Sequence, residues 1–322
     1  MPETQMDMQY LKSLLKNWCI DPSDVFPDAW IAGSPERTLR RMVIVDTREK
    51  SFVLEEIFPP AMGRKQDIAG IIDDLSRRGM KQVHPYCPDQ RGDVVSGYDG
   101  RFWQLREYIR GCILPRPEYL EDAWRGEALA EFLIALHDTS EKAHADTEGA
   151  AFSIIRFIDG FMTKLRTYRP EVLRELNPLL DYLADEFYRV HDVLPRSFCH
   201  GDYHPLNVVW SEKEILSVID WEFCGVKTEA YDLALLLGCL GMEDPRALIG
   251  PLIRSLMSCI RESGIYASDS LAVLPELVMA LRFAWLSEWL RKNDVEMVCL
   301  ELDYLSLLFH NQSTLKSAWR CL

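Results

Sequence analysis

Three oxygen-bearing side chains stand at a spacing that suits phosphoryl transfer. Asp202 lies in the run HGDYHPLNVVW, five residues before Asn207, and Asp220 ends the run VID thirteen residues after that asparagine. Moving a phosphoryl group from a nucleotide needs one carboxylate that faces the attacking hydroxyl. It also needs a carboxylate and an amide oxygen that hold Mg²⁺ against the phosphates. The aspartate-to-asparagine step is the one found in kinase catalytic loops.

The elements around these residues are predicted to bring two of them together. The strand-like runs NVVW and ILSVID are separated by the charged turn SEKE, which indicates a β-hairpin. Such a hairpin places Asn207 and Asp220 side by side at one end of its two strands. HGD alone is equally typical of a turn, and Asp220 alone of a strand end, so the joint pattern carries the functional interpretation.

At these residues the sequence resembles the aminoglycoside phosphotransferase and choline kinase superfamily, which has the fold of the protein kinases. The resemblance implies that Asp202 is the catalytic base and that Asn207 and Asp220 are the Mg²⁺ ligands. It also implies that Asp232, in YDLA, braces the catalytic loop and that His200 packs against that loop. The cofactors implied are ATP, or GTP, and Mg²⁺.

Composition narrows the classes of partner. The chain has 322 residues, a net charge of −14 and a pI near 5.0, which disfavours nucleic-acid and anionic-membrane binding. Its nine cysteines include no C-x-x-C pair, so we expect a reducing, cytoplasmic location. We find no signal-peptide pattern, and the longest apolar run, at 233–242, is too short to span a bilayer.

The periodicity predicts an α+β, two-lobed, protein-kinase-like fold. A helix at 6–17, strands at 39–46 and 51–58, a helix at 64–78 and a hairpin turned at YDG form a small antiparallel lobe. From about residue 118 the chain is mainly helical. We assign 1–105 to a nucleotide-binding lobe that includes the N-terminal helix, and 106–322 to a catalytic and substrate-binding lobe.

Two segments are candidates for nucleotide contacts. The segment AGSPERTLRR occupies the place of the family's phosphate loop, where Gly33, the backbone from Ser34 and the side chain of Arg37 could hold phosphate. The segment WQLREYIRG matches the passage between lobes in the family. There, the resemblance implies that the main chain of Arg106, Glu107 and Tyr108 binds the adenine edge.

The third strand departs from the family pattern. A lysine that reaches the phosphates is expected after the apolar triplet, yet FVL is followed by Glu55 and Glu56. A desolvated glutamate there would repel a nucleotide triphosphate. Strand alternation puts Val53, Glu55 and Ile57 on one face, and the resemblance to the family implies that Arg41 of the preceding strand pairs with Glu55 across it. Our hypothesis is that Arg41, or Arg40, takes over the phosphate contact and that Glu55 orients it. The competing hypothesis is a degenerate kinase that binds nucleotide poorly.

The acceptor is the least defined part of the prediction. Candidate residues come from IDWEF and from a C-terminal helix; they are Trp221, Glu222, Trp285, Glu288 and Trp289. Aromatic rings with a carboxylate suit an ammonium group, whereas the same tryptophans at helical spacing are typical of a helix core. We therefore expect an ATP- and Mg²⁺-dependent phosphotransferase acting on a small hydroxylated metabolite, with or without a cationic group, or on an aminoglycoside-like acceptor. The alternative is a pseudokinase that binds a nucleotide or a partner, and the sequence leaves the oligomeric state open.

Overall fold

The computed structural model describes residues 7–33, 37–141 and 152–321, and the chain forms two compact units. The first unit contains the described residues up to Ile113 together with Leu206–Glu222. The second contains those of Leu114–Pro205 and Phe223–Leu322. The predicted boundary after residue 105 stays a prediction, because compactness assigns no role to either unit.

The first unit is built on a five-stranded sheet. Its elements are α1 (Met8–Leu15), β1 (Pro22–Phe26), β2 (Thr38–Asp46), β3 (Ser51–Ile57), α2 (Met62–Arg77), β4 (Ser96–Tyr98) and β5 (Arg101–Glu107). All neighbouring strands are antiparallel, in the order β1-β2-β3-β5-β4. The hairpin predicted at YDG is present, and Asp99 and Gly100 both have the positive φ that a tight turn between twisted strands requires.

One face of this sheet forms the core of the unit. Leu14 and Leu15 of α1 pack with Leu54 of β3 and with Trp103 and Leu105 of β5, all of them buried. The periodicity of α1 is thereby explained, since its apolar stripe covers the sheet. The helix predicted at 6–17 is observed from Met8 and ends in a 3₁₀ turn at Lys16–Trp18; residue 6 lies outside the described part.

Two short strands complete the first unit. They are β7 (Val208–Trp210) and β8 (Ile215–Val218), which pair antiparallel as the predicted hairpin. Because the hairpin packs with the first 113 residues, it belongs to this unit although it follows the helices of the second in sequence.

The second unit is mainly helical. Its elements are α3 (Ala123–Glu141), α4 (Ile154–Tyr168), α5 (Pro170–Leu183), α6 (Arg189–His191), β6 (Arg196–Cys199), β9 (Gly225–Thr228), α7 (Tyr231–Glu243), α8 (Pro251–Ser263), α9 (Ser268–Ala272), α10 (Leu274–Lys292), α11 (Val295–His310) and α12 (Gln312–Cys321). Strands β6 and β9 pair antiparallel; β6 ends immediately before His200, and β9 ends four residues before Asp232. The predicted fold class, a small antiparallel sheet with a mainly helical remainder, is confirmed. Within the described residues, none of the helices has the length and apolar character needed to cross a membrane.

Candidate active site

The β7–β8 hairpin positions two of the predicted metal ligands. Val208 pairs with Val218, and the Ile219 N–H donates to the Asn207 carbonyl at 3.0 Å. Asn207 and Asp220 therefore lie at the same end of the hairpin, as the sequence pattern predicts. Asp220 has φ +67°, a left-handed backbone in which aspartate is one of the few tolerated side chains.

These two residues offer the donor atoms that Mg²⁺ prefers. A carboxylate and an amide oxygen are hard oxygen ligands, and protein Mg²⁺ sites are commonly completed by phosphate oxygens and water. Among the described residues there is no cluster of three or more His, Cys, Asp or Glu that could enclose a metal. One carboxylate and one amide oxygen at the same end of the hairpin fit a cation that is held jointly by the chain and by the phosphates of a ligand.

A cavity lies within the first unit and reaches Asp220. Its walls come from β2, β3, α2, the end of β5 and the residues after β8. The charged side chains along these walls are Arg41, Glu55, Lys65, Arg106, Glu107, Asp220 and Glu222. Ile68, Ile72, Ile109 and Ile219 add apolar surface, so the cavity combines apolar and ionic walls.

The start of the predicted phosphate loop forms part of the cavity. Gly33 lines it, and a Cβ at this position would come within 3.1 Å of Ile219 Cδ1 and 3.5 Å of Asp220 Oδ2. The guanidinium of Arg41 donates to the carbonyls of Ala32 and Gly33, at 3.1 and 2.6 Å. Arg41 therefore fixes the backbone that enters the loop. Ser34, also predicted to contact phosphate, lies outside the described residues.

Glu55 is accompanied by two arginines. The register places it directly opposite Arg41, as predicted, and Arg106 Nε lies 3.7 Å from Glu55 Oε1. Burial lowers the pKa of the Arg41 guanidinium, and the negative charge of Glu55 opposes that shift. Since Glu55 is only 3 % exposed, its charge is balanced by neighbouring strands rather than by water.

The end of β5 supplies the predicted adenine-binding segment. Arg106 and Glu107 line the cavity, whereas the N–H of Tyr108 donates to the Ser51 carbonyl at 2.9 Å. That bond continues the ladder between β3 and β5. A main-chain contact between Tyr108 and a nucleotide would therefore have to use the Tyr108 carbonyl oxygen.

Glu222 and Trp221, predicted to contact the acceptor, have interior partners in the first unit. Glu222 is 5 % exposed and accepts from Arg37 Nη1 at 2.8 Å and from the ammonium of Lys65. The Trp221 indole N–H donates to the Val218 carbonyl at 3.0 Å. The side chains of Arg37, predicted to contact phosphate, and of Glu222, predicted to contact the acceptor, thus form an ion pair with each other; both roles stay predictions.

Sequence reasoning missed Lys65. It is the one lysine along the cavity walls among the described residues, and it is 1 % exposed. A signal was present, because Lys65 falls on the apolar stripe of α2 with Ile68, Ala69, Ile72 and Leu75. A charged residue within such a stripe must find a partner when the helix packs.

The loop that carries Asp202 lies in the second unit and is held by Asp232. The carboxylate of Asp232 accepts from the backbone N–H groups of His200 and Gly201, at 2.6 and 2.8 Å. The Asp202 N–H donates to Nδ1 of His200 at 3.2 Å. Both His200 and Asp232 are buried, whereas the side chain of Asp202 remains 20 % exposed. The brace that the resemblance implies is therefore geometrically available, with Asp202 at its open end.

Gly201 allows the tight path of this loop. It has φ +86°, and a Cβ there would lie 2.2 Å from the Phe223 carbonyl oxygen. On the other side of Asp202, Tyr203 is fully buried; its hydroxyl donates to the Leu129 carbonyl at 3.2 Å and its ring stacks on Phe132. The loop is thus anchored on both sides of Asp202.

Burial dominates the electrostatics of Asp232. It raises the pKa of this carboxyl to about 6, against the opposing effect of the Gly201 N–H and of the positive charge of Lys227. Lys227 is itself buried and donates to the Phe223 carbonyl. The brace therefore carries a negative charge at neutral pH and loses it in mild acid.

The predicted acceptor residues of α10 divide into two groups. Trp285 lies 6.4 Å from the His204 ring, and His204 Nε2 is 3.6 Å from Asp202 Oδ2. Trp289 stacks on Trp285 at 6.1 Å, one turn further along the helix. Of the two tryptophans, Trp285 is therefore the one connected to the loop through His204.

Glu288 is committed to cations of its own helix. Arg291 lies 2.6 Å and Lys292 3.1 Å from its carboxylate, and these partners hold the pKa of Glu288 at about 2. The Lys292 ammonium also lies 5.1 Å from the centre of the Trp289 ring. Glu288 and Trp289 thus both contact a cation, as a carboxylate and an aromatic ring can, but that cation is the Lys292 ammonium of the same helix. The role of Glu288 in acceptor binding stays a prediction, and an acceptor ammonium would have to compete with Arg291 and Lys292 for this carboxylate.

The small antiparallel sheet and the mainly helical remainder are the fold of the kinase-like phosphotransferases. The chain belongs to the phosphotransferase enzyme family, whose model matches residues 34–260. As a member it is an enzyme of the small-molecule kinase type, with an alcohol group as phosphoryl acceptor.

Curated relatives and solved structures agree with this assignment. The chain is 26 % identical to a homoserine kinase of Rhizobium etli (strain CIAT 652), with 76 % of each chain covered. It is 25 % identical to a homoserine kinase of Zymomonas mobilis, covering 83 % of this chain and 84 % of the relative. Similar solved structures include amicoumacin kinase in complex with AMP-PNP, Ca²⁺ and Ami (16 % identity, TM-score 0.69, covering 94 % and 92 %). They also include a microcompartment-associated aminopropanol kinase (16 % identity, TM-score 0.67, covering 96 % and 99 %).

Proposed function

We propose that this protein is an ATP- and Mg²⁺-dependent kinase that phosphorylates the hydroxyl of a small amino-bearing metabolite. Homoserine is the first acceptor to test, because homoserine kinases match this chain over three quarters of its length. The observation that carries the proposal is the loop at 200–205, in which Asp232 and Tyr203 fix the backbone while the side chain of Asp202 stays 20 % exposed.

Asp202 acts as the base in this proposal. Its carboxylate accepts a hydrogen bond from the acceptor hydroxyl, orients the oxygen toward the terminal phosphate and takes up the proton as the phosphoryl group moves. The negative charge of Asp232 and the bond from His200 keep the loop in one conformation, so that little reorganisation is needed.

Asn207 and Asp220 would hold Mg²⁺, which neutralises charge on the phosphate oxygens when it is bound. Arg41 contributes positive charge on the cavity wall and fixes the Ala32–Gly33 backbone, while Glu55 orients Arg41. The solved relatives include one complex with AMP-PNP and one with GDP. ATP and GTP are therefore both included in the test.

The proposal is tested by turnover with a panel of acceptors. The full chain is incubated with Mg²⁺ and ATP or GTP, together with homoserine, aminopropanol, ethanolamine, choline or an aminoglycoside, and the phosphorylated product is identified by mass spectrometry. Removing the base in Asp202→Asn should lower kcat by about 10²–10⁴-fold, as for other general bases. Asp181→Asn, which changes an exposed carboxylate of α5, should leave kcat unchanged.

One observation favours a second candidate, the degenerate kinase. Glu55 stands where the family has its phosphate-binding lysine. A degenerate kinase would bind nucleotide without phosphorylating any acceptor in the panel, and Asp202→Asn would not alter its behaviour. That pair of results would replace the first proposal with the second.

A further inference from the structure

Lys65 occupies a position where a lysine is costly. It lies on the buried side of α2 with Ile68, Ala69, Ile72 and Leu75, and its side chain is 2 % exposed. Burying an ammonium group without a partner costs several kcal/mol, so its surroundings must stabilise the charge. The anionic groups around Lys65 therefore determine whether its charge is fully balanced within the protein.

One carboxylate in the described surroundings serves this ammonium, and it is shared. Glu222 Oε1 contacts Lys65 Nζ, while Glu222 Oε2 accepts from Arg37 Nη1 at 2.8 Å. The hydroxyl of Thr38 lies 3.5 Å from Nζ and adds a neutral contact. Because Glu222 divides its charge between two cations, Lys65 keeps positive charge that a further anion could use.

The location of the pair connects it to the nucleotide. Lys65, Glu222 and Asp220 all line the same cavity, and Glu222 follows Asp220 by two residues. The other cations on these walls interact with neighbouring groups: Arg41 donates to the loop carbonyls, and Arg106 lies beside Glu55. Lys65 is thus the ammonium that the described walls offer to phosphates held through Asp220.

We infer that Lys65 of α2 binds the phosphates of the nucleotide in place of the lysine that β3 lacks, and that Glu222 positions the Lys65 ammonium beside Asp220. The inference rests on the proposed function only in taking a nucleotide as the ligand of the cavity. In this arrangement Glu222 is a positioning residue and Lys65 a binding residue. The phosphate-binding cation is then supplied by helix α2, where the family pattern has a lysine on the third strand.

Calorimetric titration of the full chain without any acceptor tests the inference. The ligands are AMP-PNP with Mg²⁺, which carries the phosphates, and adenosine, which lacks them. Lys65→Met should raise the Kd of AMP-PNP at least about tenfold, the loss of one charge-assisted contact. The Kd of adenosine should stay within about twofold, and Lys65→Arg should restore part of the loss.

Two further variants separate binding from folding. Lys65→Met leaves Glu222 with one cation fewer, so the double variant Lys65→Met with Glu222→Gln removes both charges and should fold while binding AMP-PNP as weakly as the single variant. Arg77→Met removes an exposed cation from the same helix and should bind both ligands like the wild type.

Two results would overturn the inference. One is an unchanged AMP-PNP affinity in a folded variant without Lys65. The other is an equal loss for AMP-PNP and adenosine, which marks Lys65 as purely structural. Failure of the proposed function appears elsewhere, as a wild type that binds AMP-PNP in this Lys65-dependent way and phosphorylates no acceptor.

Discussion

Arg41 of β2 lies directly opposite Glu55 of β3 in the register. Its guanidinium donates hydrogen bonds to the carbonyls of Ala32 and Gly33, which precede β2. This pairing puts a cation on the cavity wall at the height where the family pattern expects a lysine. It also ties the cation to the backbone that enters the phosphate loop.

Removing this arginine should weaken nucleotide binding. We expect Arg41→Ala to raise the Kd of AMP-PNP with Mg²⁺ about tenfold, because it removes a charge and releases two backbone carbonyls. The neighbour Arg40 pairs with Glu56 in the register and is absent from the cavity walls, so Arg40→Ala is the matched control. Equal affinities of Arg41→Ala and wild type in calorimetry would mean that neither the charge of Arg41 nor its bonds to the loop backbone contribute to nucleotide binding.

The loop that carries Asp202 should not tolerate a side chain at residue 201. Gly201→Ala forces a Cβ to 2.2 Å from the Phe223 carbonyl oxygen at a φ of +86°. We expect a loss of about 2 kcal/mol or more in the free energy of unfolding, measured by urea titration, and a parallel loss of activity.

Gly70 provides the comparison for that variant. It lies inside α2, and a Cβ added there would meet nothing within 4 Å, so Gly70→Ala should keep or raise stability by up to about 1 kcal/mol. If Gly201→Ala unfolded at the same urea concentration as wild type, the close approach to Phe223 would not matter in solution.

The brace at Asp232 should leave a signature in the pH dependence of stability. Burial raises its pKa to about 6, above the ordinary 3.8, so between these values the folded protein binds a proton that the unfolded chain lacks. The contribution of this group to stability therefore grows as pH falls. Relative to Asp232→Asn, wild type should gain about 1 kcal/mol in unfolding free energy between pH 7 and pH 5.

Urea titrations of both proteins at pH 7, 6 and 5 provide this measurement. Asp232→Asn should also be less stable than wild type at pH 7, because one of the N–H groups of His200 and Gly201 would face an amide NH₂. A difference between the two proteins that stays constant across these pH values would mean that Asp232 keeps an ordinary pKa in the folded state.

The two groups of residues on α10 should respond differently to substitution. Trp285→Ala removes the ring that faces His204 near Asp202, and we expect it to raise the KM for the acceptor about tenfold. Glu288→Gln removes a carboxylate already held by Arg291 and Lys292, and the KM should stay within about twofold. Steady-state kinetics measure both KM values. A larger rise in KM for Glu288→Gln than for Trp285→Ala would assign acceptor binding to Glu288.

Local patterns in the sequence predicted the parts of the site that depend on neighbours in the chain. The hairpin of Asn207 and Asp220 follows from two apolar runs and a charged turn. The Arg41–Glu55 pairing follows from strand alternation in β3 together with the resemblance of β2 to the family. The edge strand β1 was missed because PSDVF is short and mostly exposed, so no apolar alternation marks it.

Contacts between distant segments were beyond sequence reasoning. Lys65 and Glu222 are 157 residues apart, and only the packing of α2 beside the end of β8 brings them together. The ion pairs of Glu288, in contrast, were readable from the sequence, because Arg291 and Lys292 stand three and four residues after it on one helix. That spacing is a readable signal of an ion pair, and it argues against a carboxylate reserved for a ligand.

The left-handed backbone at Asp220 bears on how the metal site should be dissected. Aspartate tolerates that conformation because its short polar side chain can hydrogen-bond locally, and alanine lacks this compensation, so Asp220→Ala combines a backbone cost of up to about 1–2 kcal/mol with the loss of the carboxylate. Glycine adopts the same backbone freely, so Asp220→Gly deletes the ligand while leaving the main-chain geometry undisturbed. A genetic knockout of this position is therefore cleaner with glycine than with the customary alanine.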